Sequence, residues 1–158
     1  MRRIARSIAL ASVLVLSHGA IAQAQDHGAH SIVSPDDLNW SAAPPALPSG
    51  TETVVVSGNP GQEGPYVLRL KFPSGTRVAP HTHPNDENLT VISGVFHIGT
   101  GDQFDEAKGQ MLMPGGFARM PNGMPHFAWA SEETVVQLHG IGPSGISYVN
   151  PADDPRNQ

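Results

Sequence analysis

The chain has 158 residues, 15% of them charged, a formal charge of −5 and no cysteine. That excludes a disulfide framework, a cysteine-ligated zinc or iron–sulfur centre and a thiol nucleophile, and the acidic balance argues against nucleic acid or anionic lipid as a partner. The length fits one domain, and 17 glycines with 15 prolines fit short strands joined by turns better than a helical bundle.

The first residues, Met1 to Arg6, are basic, Ser7 to Leu16 are mostly apolar, and Ala22-Gln23-Ala24 has the small-x-small form of a cleavage site. Residues 1–24 therefore read as a secretory signal peptide, which predicts a periplasmic or secreted protein. The apolar run is too short to span a bilayer comfortably, and the Arg2-Arg3 pair leaves the export route open between general and twin-arginine. Cleavage would remove Arg2, Arg3 and Arg6 and no acid, leaving a more acidic mature chain. It would also place His27 third from a new amino terminus, an arrangement that suits square-planar copper or nickel. The other reading of His27 is a flexible histidine-containing tail.

Residues 25–50 read as an extended arm. Ser34 and Pro35 suit an N-cap and a first helical position, and Trp40 is expected to dock on the exterior or on a second subunit. The domain proper is expected over 51–150. Strands are predicted over 51–57, 66–72, 88–93, 95–98, 109–113, 117–120, 125–130, 134–141 and 146–149. Between them stand turn formers such as Pro73-Ser74-Gly75, Pro114-Gly115-Gly116 and Pro121-Asn122-Gly123. Residues 151–158 read as a polar tail. Nine or ten short strands with frequent turns predict an all-β fold, a small antiparallel β-barrel or jelly roll.

The chemistry concentrates between Gly75 and Gly94. His81 and His83 are two residues apart, so on a strand their side chains share a face. Glu87 follows the turn-forming Pro84-Asn85-Asp86 and can return a carboxylate to that face. Two imidazoles and a carboxylate on one concave surface suit a transition metal, whereas a solvated polar loop is the plainer reading. A fourth donor, His126, follows the Pro121-Asn122-Gly123 turn on a later strand.

These spacings resemble the cupin superfamily. Its first motif is matched by Gly75, five residues, His81-Thr82-His83, three residues, Glu87, six residues and Gly94. Its second is matched by Gly115, five residues, Pro121-Asn122-Gly123, two residues and His126, with Ala130 where the pattern has asparagine. The flanks, Pro-Asp-Asp-Leu-Asn-Trp early and Tyr-Val-Asn-Pro-Ala-Asp-Asp-Pro-Arg late, are similar to a group of small exported single-domain bacterial cupins. The resemblance implies a double-stranded β-helix holding one divalent transition metal on His81, His83, Glu87 and His126. Ligand type does not choose among Fe, Mn, Ni, Cu, Co and Zn.

The resemblance further implies a metal-dependent enzyme of dioxygenase type acting on a small oxygen-rich substrate. A non-catalytic binder of a small ligand or of the metal is the alternative. Tyr66, Arg69, Gln137 and His139 are candidate pocket residues, with the inward face of their strands open. Cupins often pair by sheet extension, so a homodimer is expected alongside a small-molecule partner.

Overall fold

Alternation of apolar and polar residues along the strands decides which faces meet. A computed structural model describes residues 31–158; the expected signal peptide and the expected His27 arrangement lie outside the described residues. Eleven strands run in chain order: β1 (Ser41–Ala42), β2 (Glu52–Ser57), β3 (Gly64–Phe72), β4 (Arg77–Thr82), β5 (Glu87–Ser93), β6 (Phe96–Thr100), β7 (Gln110–Leu112), β8 (Phe117–Met120), β9 (His126–Ala130), β10 (Thr134–Gly142) and β11 (Ser147–Tyr148). One sheet has the order β1-β2-β3-β10-β5-β8 and the other β11-β4-β9-β6-β7. Every strand pairing is antiparallel. The two hydrogen-bonded networks stay separate, so the expected barrel is a two-sheet jelly-roll sandwich rather than a closed barrel.

The core lies between the sheets, built from Leu70, Phe72, Leu89, Val91, Phe96 and Val136 among others. On β3 the face carrying Tyr66, Leu70 and Phe72 is buried; burying that apolar area stabilises far more than burying Arg69 and Lys71 would. β10 pairs with β3 so that Val136 opposes Leu70 and Leu138 opposes Leu68, all on the inner face.

Two features depart from simple alternation. The β4–β9 register sets Val78 opposite Ala128 and His81 opposite His126, so three steps on β4 match two on β9. This bulge, at Ala79-Pro80, lets Val78 and His81 both point inward although they are an odd number of steps, three, apart. Proline has no amide hydrogen to give the ladder, so it suits that position. At the end of β5, Gly94 has φ +79°, and a β-carbon there would lie 2.3 Å from the Glu133 carbonyl oxygen. The crossing from β5 in one sheet to β6 in the other closes only around glycine.

Sequence reading missed β1, which is two residues long and pairs with β2. Trp40 lies on the exterior, where the Lys71 ammonium sits 4.5 Å from its ring centre. A second aromatic layer covers the outer face of the β4–β9–β6 sheet. Phe127 is fully buried there, 4.9 Å from the Phe104 ring, and Trp129 stacks on His97 at 4.5 Å.

Candidate metal centre

Three strand ends bring the donors together. His81 closes the inner face of β4, directly opposite His126 at the start of β9. His83 lies one residue beyond β4, and Glu87 opens β5. The ring centres are 4.2 Å apart for His81–His126, 4.9 Å for His81–His83 and 5.0 Å for His83–His126. One nitrogen from each ring falls within 4.8 Å of the others, so the three histidines form a group that could hold a metal ion. Glu87 Oε2 is 3.3 Å from His83 Nε2 and 3.6 Å from His126 Nε2.

The backbone selects the tautomer of every ring. His81 Nδ1 is 2.7 Å from the Ala79 carbonyl oxygen, His83 Nδ1 is 2.6 Å from that of Gly145, and His126 Nδ1 is 3.0 Å from that of Met124. A carbonyl only accepts, so each Nδ1 carries the proton and donates it. Each neutral ring therefore turns the Nε2 lone pair toward the other two. His83 Nε2 is buried without a hydrogen-bond partner, which would cost stability if left unmet. Four converging donors with one orphaned lone pair fit a divalent transition ion.

The electrostatics keep His81 and Glu87 in metal-ready form. Burial, then the neighbouring His126 and His83, pulls His81 down to about 3, so it is neutral at physiological pH. Burial opposes charge on Glu87, but the His126 and His83 imidazoles beside it outweigh burial and hold the carboxyl well below its ordinary range. Burial also pulls on His83, yet the Glu87 carboxylate beside it, with the Gly145 carbonyl, leaves it raised.

The turns behind the donors are tied to one another. Asp86 Oδ1 accepts from the Asn122 amide at 2.9 Å and Oδ2 from Arg119 at 2.5 Å. The Gly123 amide donates to the His83 carbonyl at 3.0 Å. The loop before Glu87 and the turn before His126 are thus one hydrogen-bonded unit. Asp86 is the link between them.

The donors border a cavity of about 450 Å³, walled chiefly by apolar residues such as Leu68, Phe72, Leu89, Ile98 and Leu138. Tyr66 is on this wall, its phenol raised by burial and then by the Glu87 charge, with Ser144 acting in the opposite direction. The other three candidate pocket residues are corrected. Arg69, Gln137 and His139 point to the opposite face of the sheet, because Leu68, Leu70, Val136 and Leu138 claim the inner one. Arg69 Nε donates to Gln137 Oε1 across the strands at 3.1 Å, and the His139 ring lies 6.5 Å from that of Phe117. Sequence reading missed Leu47 from the arm, Ser144–Ile146 from the loop before β11, and Arg156 from the tail, all of which border the cavity. The tail's one signal was Asp154 before Pro155, a cap pattern for a short turn.

Among solved structures, the chain aligns with the polyketide cyclase RemF from Streptomyces resistomycificus. The TM-score is 0.67 at 15% identity, covering 80% of this chain and 90% of that one. It aligns with a candidate acetylacetone dioxygenase from Methylibium petroleiphilum at TM-score 0.62 and 16% identity, covering 84% and 90%. Both likenesses show the fold. In sequence, it is 30% identical over 92 residues to germin-like protein 9-3 of Oryza sativa subsp. japonica, covering 57% of this chain and 42% of that protein. The chain spans less than half the length of the curated relatives it matches. Residues 28–145 match the family described as the ChrR cupin-like domain, and with the jelly roll and histidine cluster above, the chain belongs to that branch of the cupins.

Proposed function

We propose that His81, His83, Glu87 and His126 hold one divalent transition metal, and that the site is that of a dioxygenase-type enzyme acting on a small substrate. The observation that carries this reading is the set of carbonyl-oriented Nε2 atoms, one of them an orphan, facing a carboxylate on the wall of a cavity. A bound ion of this kind supplies Lewis-acid polarisation and, for the redox-active metals, electron transfer.

The chain's own residues do the rest. The apolar wall excludes water and takes the body of the substrate, so the oxygen-rich part belongs at the donor cluster, where the polar atoms are. Tyr66 keeps its proton, since its phenol is raised, and it is placed to donate to a substrate oxygen beside Glu87. Elemental analysis of protein purified from its own host should return one divalent transition metal per chain, and the His81→Ala/His83→Ala double variant none. Unchanged stoichiometry in the variant would overturn the assignment. Oxygen consumption with catechol-like and diketone substrates, surveyed across the first-row metals, tests turnover.

The predominance of aliphatic wall residues supports a second reading, a binder that holds an apolar ligand without converting it. Saturable ligand binding with no product under any metal would select it. The reading also includes export and self-association. Amino-terminal sequencing of the exported protein should begin near Gln25, and sedimentation should give a dimer mass.

A further inference from the structure

The chain does not trail away after β11. It makes two 3₁₀ turns, Pro151–Asp153 and Pro155–Asn157, each capped by the side chain before it. Asn150 Oδ1 accepts from the Ala152 amide at 3.2 Å and Asp154 Oδ1 from the Arg156 amide at 3.0 Å. Asn157 Nδ2 donates to the Pro151 carbonyl at 2.9 Å and locks the two turns together. Folded this way, the tail brings Arg156 to the cavity wall.

The guanidinium is held in one orientation. Arg156 Nε donates to Asp154 Oδ1 at 2.8 Å and Nη2 to Oδ2 at 2.5 Å. Asp154 is only 9% exposed, so this is not a loose surface pair, although the arginine side chain remains about half exposed. The forked contact uses Nε and Nη2 and leaves Nη1 without a hydrogen-bond partner among the described residues. Next to it stands Tyr148. Its phenol donates to the Ala46 carbonyl at 2.8 Å, and its ring lies 6.0 Å from that of His81. Arm and histidine cluster are therefore joined through one residue.

Arg156 is the one lysine or arginine among the residues that border the cavity. The other fixed charges there are Glu87, committed to the histidines, and Asp86, committed to Arg119. A planar cation with a free N–H pair, set against a chiefly apolar wall, matches a carboxylate.

We propose that Arg156 recognises a carboxylate, or an oxyanion of like geometry, on a ligand whose apolar body fills the cavity, and that Asp154 is the positioning residue that aims it. The proposal rests on the reading of the cavity as the substrate pocket. It adds that the substrate is an anion as well as a metal chelator, and that the last residues of the chain are part of the binding site.

The test uses phenylbutyrate and its uncharged counterpart phenylbutanol, titrated into the metal-free protein by calorimetry, with the Arg156 Nε–H resonance followed in parallel. The acid should bind about five- to tenfold more tightly than the alcohol, as a partly exposed charge-assisted contact allows, and should shift that resonance. Arg156→Gln should remove the preference while leaving the alcohol's affinity in place, and Arg156→Lys should restore part of it. Equal affinities for the two probes in the wild type overturn the proposal. So does an equal loss for both probes in Arg156→Gln, which would make the residue a mere closure of the cavity. Visible absorption of the cobalt(II)-loaded protein on adding catechol reads the metal site separately. Failure of that arm counts against the proposed function and leaves the anion result standing.

Discussion

Two sets of strand histidines occupy this jelly roll under different rules. His81 and His126 face the interior with Nδ1 donated to a backbone carbonyl and Nε2 turned toward a shared centre, and His83, one residue past β4, joins them in the same way. His97 and His139 also sit on strands but face outward, one stacked on Trp129 and placed 3.2 Å from the Ser131 hydroxyl, the other beside Phe117. Residue type is the same in both sets, and His81 and His126 share the strand setting of His97 and His139. The difference is strand parity, and then whether a carbonyl is left unpaired to take the Nδ1 proton. The bulge at Ala79-Pro80 supplies that for His81, and the Gly145 and Met124 loops supply it for the other two.

The comparison is broken most directly at the donors. His83→Ala or His126→Ala should weaken metal binding by more than the roughly 10–100-fold that losing an outer hydrogen-bond partner costs. His97→Ala and His139→Ala should leave it unchanged. Competition titration with a chelator measures both, and an outward histidine that mattered equally would erase the distinction. Outward does not mean dispensable for folding, however. Phe127 lies on the outer face of β9, yet it is fully buried beneath Phe104. Phe127→Ala should cost about 3–5 kcal/mol in denaturant unfolding while the metal stoichiometry holds.

A third outcome concerns pH and the metal-free protein. His81 titrates near 6.5 when unfolded and near 3 when folded. Between those values the unfolded chain binds the extra proton, so stability falls as pH falls. Below about 4.5 the depressed Glu87 adds a loss of the same sign. His83 runs the other way: raised in the fold, it contributes below 6.5 and loses that contribution as pH rises through its folded value. Thermal melts should therefore show a midpoint that declines steadily from pH 6.5 toward 3. His81→Phe should flatten the upper part of that decline; an unchanged slope would remove His81 as its cause. The smallest effect is expected on the outer sheet face. Arg69→Ala or Gln137→Ala breaks a half-buried cross-strand bond away from the core and should change stability by about 0.5–1 kcal/mol, with no effect on ligand or metal affinity.

Much of the fold was legible because turns announce themselves. Pro73-Ser74-Gly75 and Pro114-Gly115-Gly116 bound strands within a residue or two of their observed ends. The site was legible for a related reason. His81, Glu87 and His126 lie at or next to strand ends, where spacing from a glycine or proline turn sets their place. The cavity wall was not legible. Alternation divides β3 and β10 into two faces, but a local pattern does not say which face another sheet will cover. Arg69, Gln137 and His139 looked like pocket residues only until Leu68, Leu70, Val136 and Leu138 were seen to oppose the second sheet.

What the sequence by itself determined was an all-β chain with no thiol chemistry and four donors at cupin spacing, because turn chemistry and period-two alternation act over a few residues. What only the tertiary structure decided was everything that depends on which surfaces meet. The bulge turns His81 inward, distant carbonyls orient the three imidazoles, and the β3–β10 sheet takes its inner face from the second sheet. The tail carries Arg156 back to the cavity. Those are contacts between segments far apart in the chain, set by the burial of apolar area, and no local pattern records them.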